Sequence, residues 1–248
     1  MNGGITVAGL SKRYGPVTAV DKLTFTVEPG QVTGFLGPNG AGKTSTLRML
    51  LGLVAPTEGS ALIDGHRYAD LREPRREVGA VLEATGFHPG RSGRDHLRVL
   101  AAEAGIPPGR VAAVLSQVGL DGAAGRRVRG YSLGMRQRLG LAAALLGDPG
   151  VLILDEPGNG LDPAGLAELR DVLRGLAADG RTILMSSHVL SEVAQTVDRV
   201  IIIAGGTLRF AGPLGELTGV HGETLEAAFL RLTADRSRQD GAIAPAGN

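Results

Sequence analysis

VTGFLGPNGAGKTSTLRML, residues 32–50, restricts the fold of this chain more than any other stretch. A short β-prone run meets a loop of small residues, and apolar residues at helical spacing follow. Such a loop lets backbone N–H groups close around an anion, and the helix that follows turns its N-terminus toward it. Strand, glycine loop and helix start in this order make a βα unit, so the chain is expected to build an α/β core. The stretch also fits G-x-x-x-x-G-K-[ST], from Gly37 through Gly42 to Lys43 and Thr44.

The rest of the chain agrees with an α/β reading. ITVAGL (5–10), LTFTV (23–27), ALID (61–64) and VGAVLE (78–83) read as strands. VLILDE (151–156) is almost wholly apolar until its acidic end, as a strand buried on both faces is, and TILMSS (182–187) and RVIIIA (199–204) resemble it. Gly205 and Gly206 turn the chain into TLRFAG as a hairpin. Helical stripes appear at Leu47, Leu50, Leu51 and Val54; at Leu139, Ala142, Ala143 and Leu146; and at Leu166, Leu169, Leu173 and Leu176. The strand signal is missing from 84 to 150. We therefore expect one domain over 1–233: a core from 1–83 and 151–233, and a helical subdomain at 84–150. Residues 234–248 carry no period and read as a frayed tail.

Composition excludes more than it assigns. No cysteine is present, so neither a disulfide frame nor a thiolate metal site is available. Lys+Arg is 26 against Asp+Glu 25, a balance that argues against wholesale binding of nucleic acid. Three arginine clusters, Arg72/Arg75/Arg76, Arg91/Arg94/Arg98 and Arg126/Arg127/Arg129, read as solvated faces. The opening MNGGITVAGL lacks a charged start and apolar block, and no run approaches the ~18 apolar residues of a membrane span.

The glycine loop is a nucleoside triphosphate site. Residues Gly37, Pro38, Asn39, Gly40, Ala41, Gly42, Lys43, Thr44 and Ser45 form it; Lys43 reaches the β- and γ-phosphates and the Thr44 hydroxyl ligates Mg²⁺. Asp155, ending a buried strand, supplies the carboxylate that such a metal needs. Glu156 beside it either polarises the attacking water or caps the next helix. His188 stands at another strand end, where an imidazole can bond the γ-phosphate. His66, His88, His96 and His221 show no ligand spacing and are left as surface or packing residues.

YSLGMRQR (131–138) is a second helix start suited to an anion, although one phosphate loop is already complete. Taken in order, the phosphate loop, YSLGMRQR, LDEPGNGLDP and SSHVLSE resemble the ATP-binding cassette (ABC) ATPases, in particular the ATPase subunits of ABC-2-type exporters. The resemblance spans about 5–233. It implies a P-loop core with a mixed sheet and N-terminal antiparallel strands, and an α-helical subdomain inserted in it. It implies ATP and Mg²⁺, a head-to-tail pair with a second copy or a similar subunit, and a separate transmembrane permease that holds the protein on the inner face of the membrane. No nucleic acid partner is implied.

By the same resemblance Glu156 is the catalytic carboxylate, His188 the switch histidine and Asp162 part of the loop linking two composite sites. Tyr14 stacks on adenine, with strand-edge packing as its other reading. Ser132, Leu133, Gly134 and Met135 grip the partner's nucleotide, Ser132 capping the helix and Gly134 offering its N–H. Leu133 and Met135 replace a glycine and a glutamine of the usual pattern. Gly158 stands where a larger residue is common, which loosens that turn. Glu83 takes the place of a metal-binding glutamine, in an LExxGF pattern that resembles the bacitracin-resistance and lantibiotic-immunity subgroup. Drug, antibiotic-peptide and lipid-like cargoes are all compatible with the resemblance. The rival readings are a soluble ABC-type ATPase on ribosomes or DNA, and a regulatory subunit that binds ATP with weak hydrolysis.

Overall fold

Strands that are apolar on both faces need cover on both sides, and two separate layers provide it. The computed structural model describes residues 3–82, 86–219 and 222–234. β1 (Ile5–Tyr14), β2 (Val17–Val27) and β4 (Glu58–Ile63) form an antiparallel three-stranded sheet in the order β2-β1-β4. β3 (Val32–Leu36), β5 (Val78–Val81), β6 (Val151–Leu154), β7 (Thr182–Ser186), β8 (Arg199–Ala204) and β9 (Thr207–Pro213) form a six-stranded sheet in the order β5-β6-β7-β3-β8-β9. All neighbours in it are parallel except β8 and β9. That last pair is the expected hairpin: Ala204 faces Thr207, and Gly205 (φ 56°) and Gly206 (φ 75°) both take the left-handed backbone that a two-residue turn requires.

The side-chain alternation of the strands divides the core. Phe35, Ile153, Leu184, Ile201 and Ile203 face the antiparallel sheet and helix α1 (Lys43–Leu50). Leu36, Leu152, Leu154, Ile183, Met185 and Ile202 point to the opposite side. There they meet α5 (Leu133–Leu145), α6 (Pro163–Ala178) and α7 (Leu190–Thr196), with α3 (Gly93–Glu103), α4 (Gly109–Gln117) and α9 (Leu225–Thr233) in the same cluster. α2 (Pro74–Glu77) leads into β5, and α8 (Leu214–Gly219) follows β9. No strand lies between residues 86 and 150, where α3, α4 and α5 succeed one another.

Two sequence expectations need correction. The stripe Leu47, Leu50, Leu51 and Val54 outruns its helix: α1 stops at Leu50, because Gly52 (φ 67°) breaks the turn. Val54 still packs on the core, but from the loop beyond. β1, β2 and β4 run longer than read, since their polar ends pair across the antiparallel sheet. The proposed tail from 235, His221 and Glu83 lie outside the described residues. No helix among the described residues is long and apolar enough to cross a membrane.

β5, at the edge of the sheet, is held against α5 by a close approach. A Cβ on Gly79 would stand 2.2 Å from the Ala144 carbonyl oxygen, which is backbone and cannot swing away. Gly79→Ala is therefore expected to cost about 1–3 kcal/mol of stability, as overpacking does. A urea unfolding midpoint unchanged from wild type would show that β5 and α5 can separate freely.

Candidate active site

β3 emerges from the sheet centre at Leu36, and the chain turns at once into the loop Gly37–Gly42. At its two ends the loop is too close to its neighbours for a side chain. A Cβ on Gly37 would fall 2.5 Å from the Ile203 carbonyl, and one on Gly42 (φ 101°) 2.4 Å from that of Ala19. Gly42 offers no side chain to cap α1, and the first turn holds no acidic residue. The free amides of that helix start are thus left for an outside anion. Lys43 Nζ donates to the carbonyls of Gly37 (2.6 Å) and Pro38 (3.3 Å). Burial pulls its pKa below the ordinary lysine value, while Glu156 and then Asp155 pull the other way.

The carboxylates arrive from β6. Asp155 and Glu156 follow its last residue, and Asp155 N–H donates to the Val81 carbonyl of β5 at 2.7 Å. Thr44 Oγ1 donates to Asp155 Oδ2 at 3.1 Å, joining α1 to the end of β6. The other oxygen, Oδ1, accepts from the Ser186 hydroxyl. Ser186 Oγ in turn accepts the Glu156 N–H at 3.0 Å. That bond helps hold Glu156 at φ 52°, an uncommon backbone for a residue with a side chain. Gln137 on α5 donates through Nε2 to the Glu156 carbonyl at 3.3 Å. His188 Nδ1 lies 2.6 Å from Glu156 Oε2. An ionised carboxylate only accepts, so the proton sits on the imidazole nitrogen.

These groups open on a cleft of about 530 Å³, a size common for small-molecule sites. Tyr14, Asn39–Ser45, Asp155 and Glu156 line it. Tyr14 is half exposed at the end of β1, with the Lys12 ammonium 5.1 Å from its ring. Among the described residues no three His, Asp or Glu side chains are grouped to hold a metal. The Thr44–Asp155 oxygen pair nevertheless fits Mg²⁺, which keeps waters and takes phosphate oxygens as further ligands.

Other sequence-predicted residues lie elsewhere. Ser132 caps α5 by accepting the Met135 N–H at 3.2 Å. Leu133, half exposed, and Gly134 abut Gly160, and none of residues 132–135 lines the cleft. Glu156 does not cap a helix: Asp162 caps α6, accepting the Gly165 N–H at 2.8 Å. A Cβ on Gly158 would come 2.9 Å from the Leu166 side chain.

Ser186 and Gln137 were missed. Both left a trace: Ser186 is a hydroxyl ending an apolar strand, and Gln137 falls in phase with the buried Leu141 and Leu145. Of the four histidines set aside, His96 is half buried with its ring edge-on to Phe87, and His66 bonds the Asp64 carbonyl.

Comparison with known proteins gives this geometry a family. The sequence profile described as ABC transporter matches residues 20–159. A bacitracin transport ATP-binding protein of Bacillus licheniformis is 45% identical over 207 residues, covering 82% of this chain and 68% of its own. A lantibiotic transport ATP-binding protein of Streptococcus pyogenes is 37% identical over 204 residues, covering 82% and 88%. Among solved structures, an ATP-binding subunit of an ABC transporter matches with a TM-score of 0.84 at 29% identity, covering 92% of this chain and 98% of that one. A dimeric bacterial ABC transporter cassette matches in fold, with a TM-score of 0.75 at 22% identity over 84% and 98%. The chain belongs to the ABC transporter family, as an ATP-binding subunit that hydrolyses ATP.

Proposed function

We propose that this ATPase drives an exporter as a head-to-tail pair, with a separately encoded transmembrane permease holding it on the inner face of the membrane. The observation that carries the reading is the placement of Ser132–Met135. This helix start is capped, suited to an anion and exposed at Leu133, yet it is absent from the chain's own cleft. In the pair, each such start meets the triphosphate on the other subunit's loop. The relatives named for bacitracin and lantibiotic transport favour an antibiotic or peptide cargo. The segment 84–150 acts as the helical subdomain, and together with the Glu83 loop it forms the docking surface for the permease.

Each residue of the cleft then has a task. Tyr14 stacks on adenine, and the Gly37–Ser45 loop holds the phosphates through its free backbone N–H groups and the Lys43 ammonium. Thr44, Asp155 and Glu83 would hold Mg²⁺, which when bound would offset the charge of the phosphates. Glu156 accepts a proton from the attacking water, and His188 fixes its carboxylate through the Nδ1 bond. Asp162, capping α6 next to the turn that touches Leu133 and Gly134, joins the two composite sites.

Three outcomes test this. Glu156→Gln should lower ATP turnover by about 10²–10⁴-fold and accumulate a dimer with ATP and Mg²⁺ in gel filtration; undiminished turnover contradicts the assignment. Because the chain has no cysteine, Asn39→Cys combined with Leu133→Cys reports on the pairing. A disulfide-linked dimer is expected with ATP, and its absence under nucleotide saturation sinks the sandwich. Ser186→Ala takes a donor from Asp155 and leaves the Glu156 N–H unpaired. A roughly 10–100-fold weaker Mg²⁺ dependence of turnover and a loss of about 1–3 kcal/mol should follow, read by Mg²⁺ titration and urea unfolding.

A further inference from the structure

Two of the three arginine clusters, some thirty positions apart in sequence, meet on one surface. Ser92 pairs with Arg127 in an antiparallel bridge, and Val128 N–H donates to the Arg91 carbonyl at 2.9 Å. Arg94 N–H donates to the Ala124 carbonyl at 2.9 Å, and Arg129 N–H to that of Pro89 at 3.1 Å. Arg91, Arg94, Arg98, Arg126, Arg127 and Arg129 are all exposed. Asp95 is the one carboxylate in segments 86–98 and 124–131. It bonds Ser92 and reaches Arg98 at 3.3 Å. The remaining cluster is different: Arg75 pairs with Glu103 and Arg76 with Glu73.

Two features of this face select an external anion. It surrounds the N-terminal, positive end of α3, where cations are disfavoured by the helix dipole. The amides of Gly93 and Arg94 are already bonded to 124–126, so they offer an incoming group nothing. The arginine side chains must do the binding. The exposed large hydrophobics among the described residues are Tyr14, Val17, Leu53, Leu133, Val189 and Leu230, none of them within segments 86–98 and 124–131. Protein interfaces centre on buried apolar or aromatic anchors, whereas a headgroup lattice asks only for charge.

We infer that this six-arginine face rests on anionic lipid headgroups of the membrane beside the permease. The inference depends on the membrane placement proposed above. The segment that begins at 86 leads out of the Glu83 loop, the proposed permease dock, and Arg129 is fastened to it through Pro89. Headgroup charge around such a dock acts on arginines that come within a Debye length of it.

The test uses the full chain and sedimentation with vesicles of phosphatidylcholine alone or mixed with phosphatidylglycerol. Binding is expected to the mixed vesicles only, and to fall with salt. Each arginine neutralised near such a surface should cost roughly fivefold. The triple variant Arg94→Gln, Arg127→Gln, Arg129→Gln should then lose about a hundredfold, with the unfolding midpoint unchanged. The corresponding three Arg→Lys changes should keep binding, since headgroup attraction reads charge rather than the guanidinium fork.

Equal binding to neutral vesicles, or an unaltered triple Gln variant, overturns the inference. So does loss of permease co-purification in the Lys variant without any vesicle binding, which would assign the face to acidic groups on the permease. A nucleotide-dependent Asn39–Leu133 disulfide that persists while vesicle binding fails removes the lipid contact alone and leaves the exporter reading in place.

Discussion

One buried hydroxyl ties the catalytic end of the sheet together. Ser186 donates to Asp155 and accepts from the Glu156 backbone, so one atom on β7 positions both groups that follow β6. Asp155 then reaches Thr44 on α1, and Glu156 reaches His188 beyond β7. Parallel pairing of β6 with β7, and of β7 with β3, brings these strand ends to one edge. Rigid strands hold such a constellation more closely than loops would. Gln137 adds the only bond from α5 to Glu156 among those described, linking the helix that starts at Ser132 to the carboxylate.

The sequence revealed the parts of this arrangement that repeat a local pattern. β3 and β8 were bounded correctly because apolar β-branched runs stop at glycine or acidic residues. The loop was legible because glycine is forced where a Cβ would strike the Ile203 or Ala19 carbonyl. What stayed hidden depends on contacts between distant segments. The polar ends of β1 and β2 look like loop until paired, and the bonding of Ser186 to the Asp155 carboxylate and the Glu156 backbone needs two strands in register. The arginine clusters read as separate solvated faces because nothing local announces the bridge between Ser92 and Arg127.

The departures from the family pattern also become intelligible through packing. Leu133 lies over Gly160, where a Cβ would be 2.3 Å from its side chain, so the larger residue at 133 is matched by a glycine opposite it. Gly134 keeps the same turn close, with the Gly160 carbonyl 3.1 Å from where its Cβ would be. The N-cap is untouched, because Ser132 bonds the Met135 backbone whatever side chain that residue carries. The helix start thus retains its amides while its rim becomes more apolar.

Charge balance gives a physical reason for pairing on the proposed reading. The cleft is lined by one cation, Lys43, and two carboxylates, Asp155 and Glu156. Such a lining is at best neutral to a triphosphate that brings several negative charges. The amides of α1 and a metal at Thr44 and Asp155 offset part of this. A second helix start, carrying no carboxylate in its first turn, offsets more and does so only when the subunits close. On that reading, removal of the γ-phosphate weakens a contact that spans the seam. The same electrostatic deficit that makes a lone cleft a poor host therefore makes closure depend on the intact nucleotide.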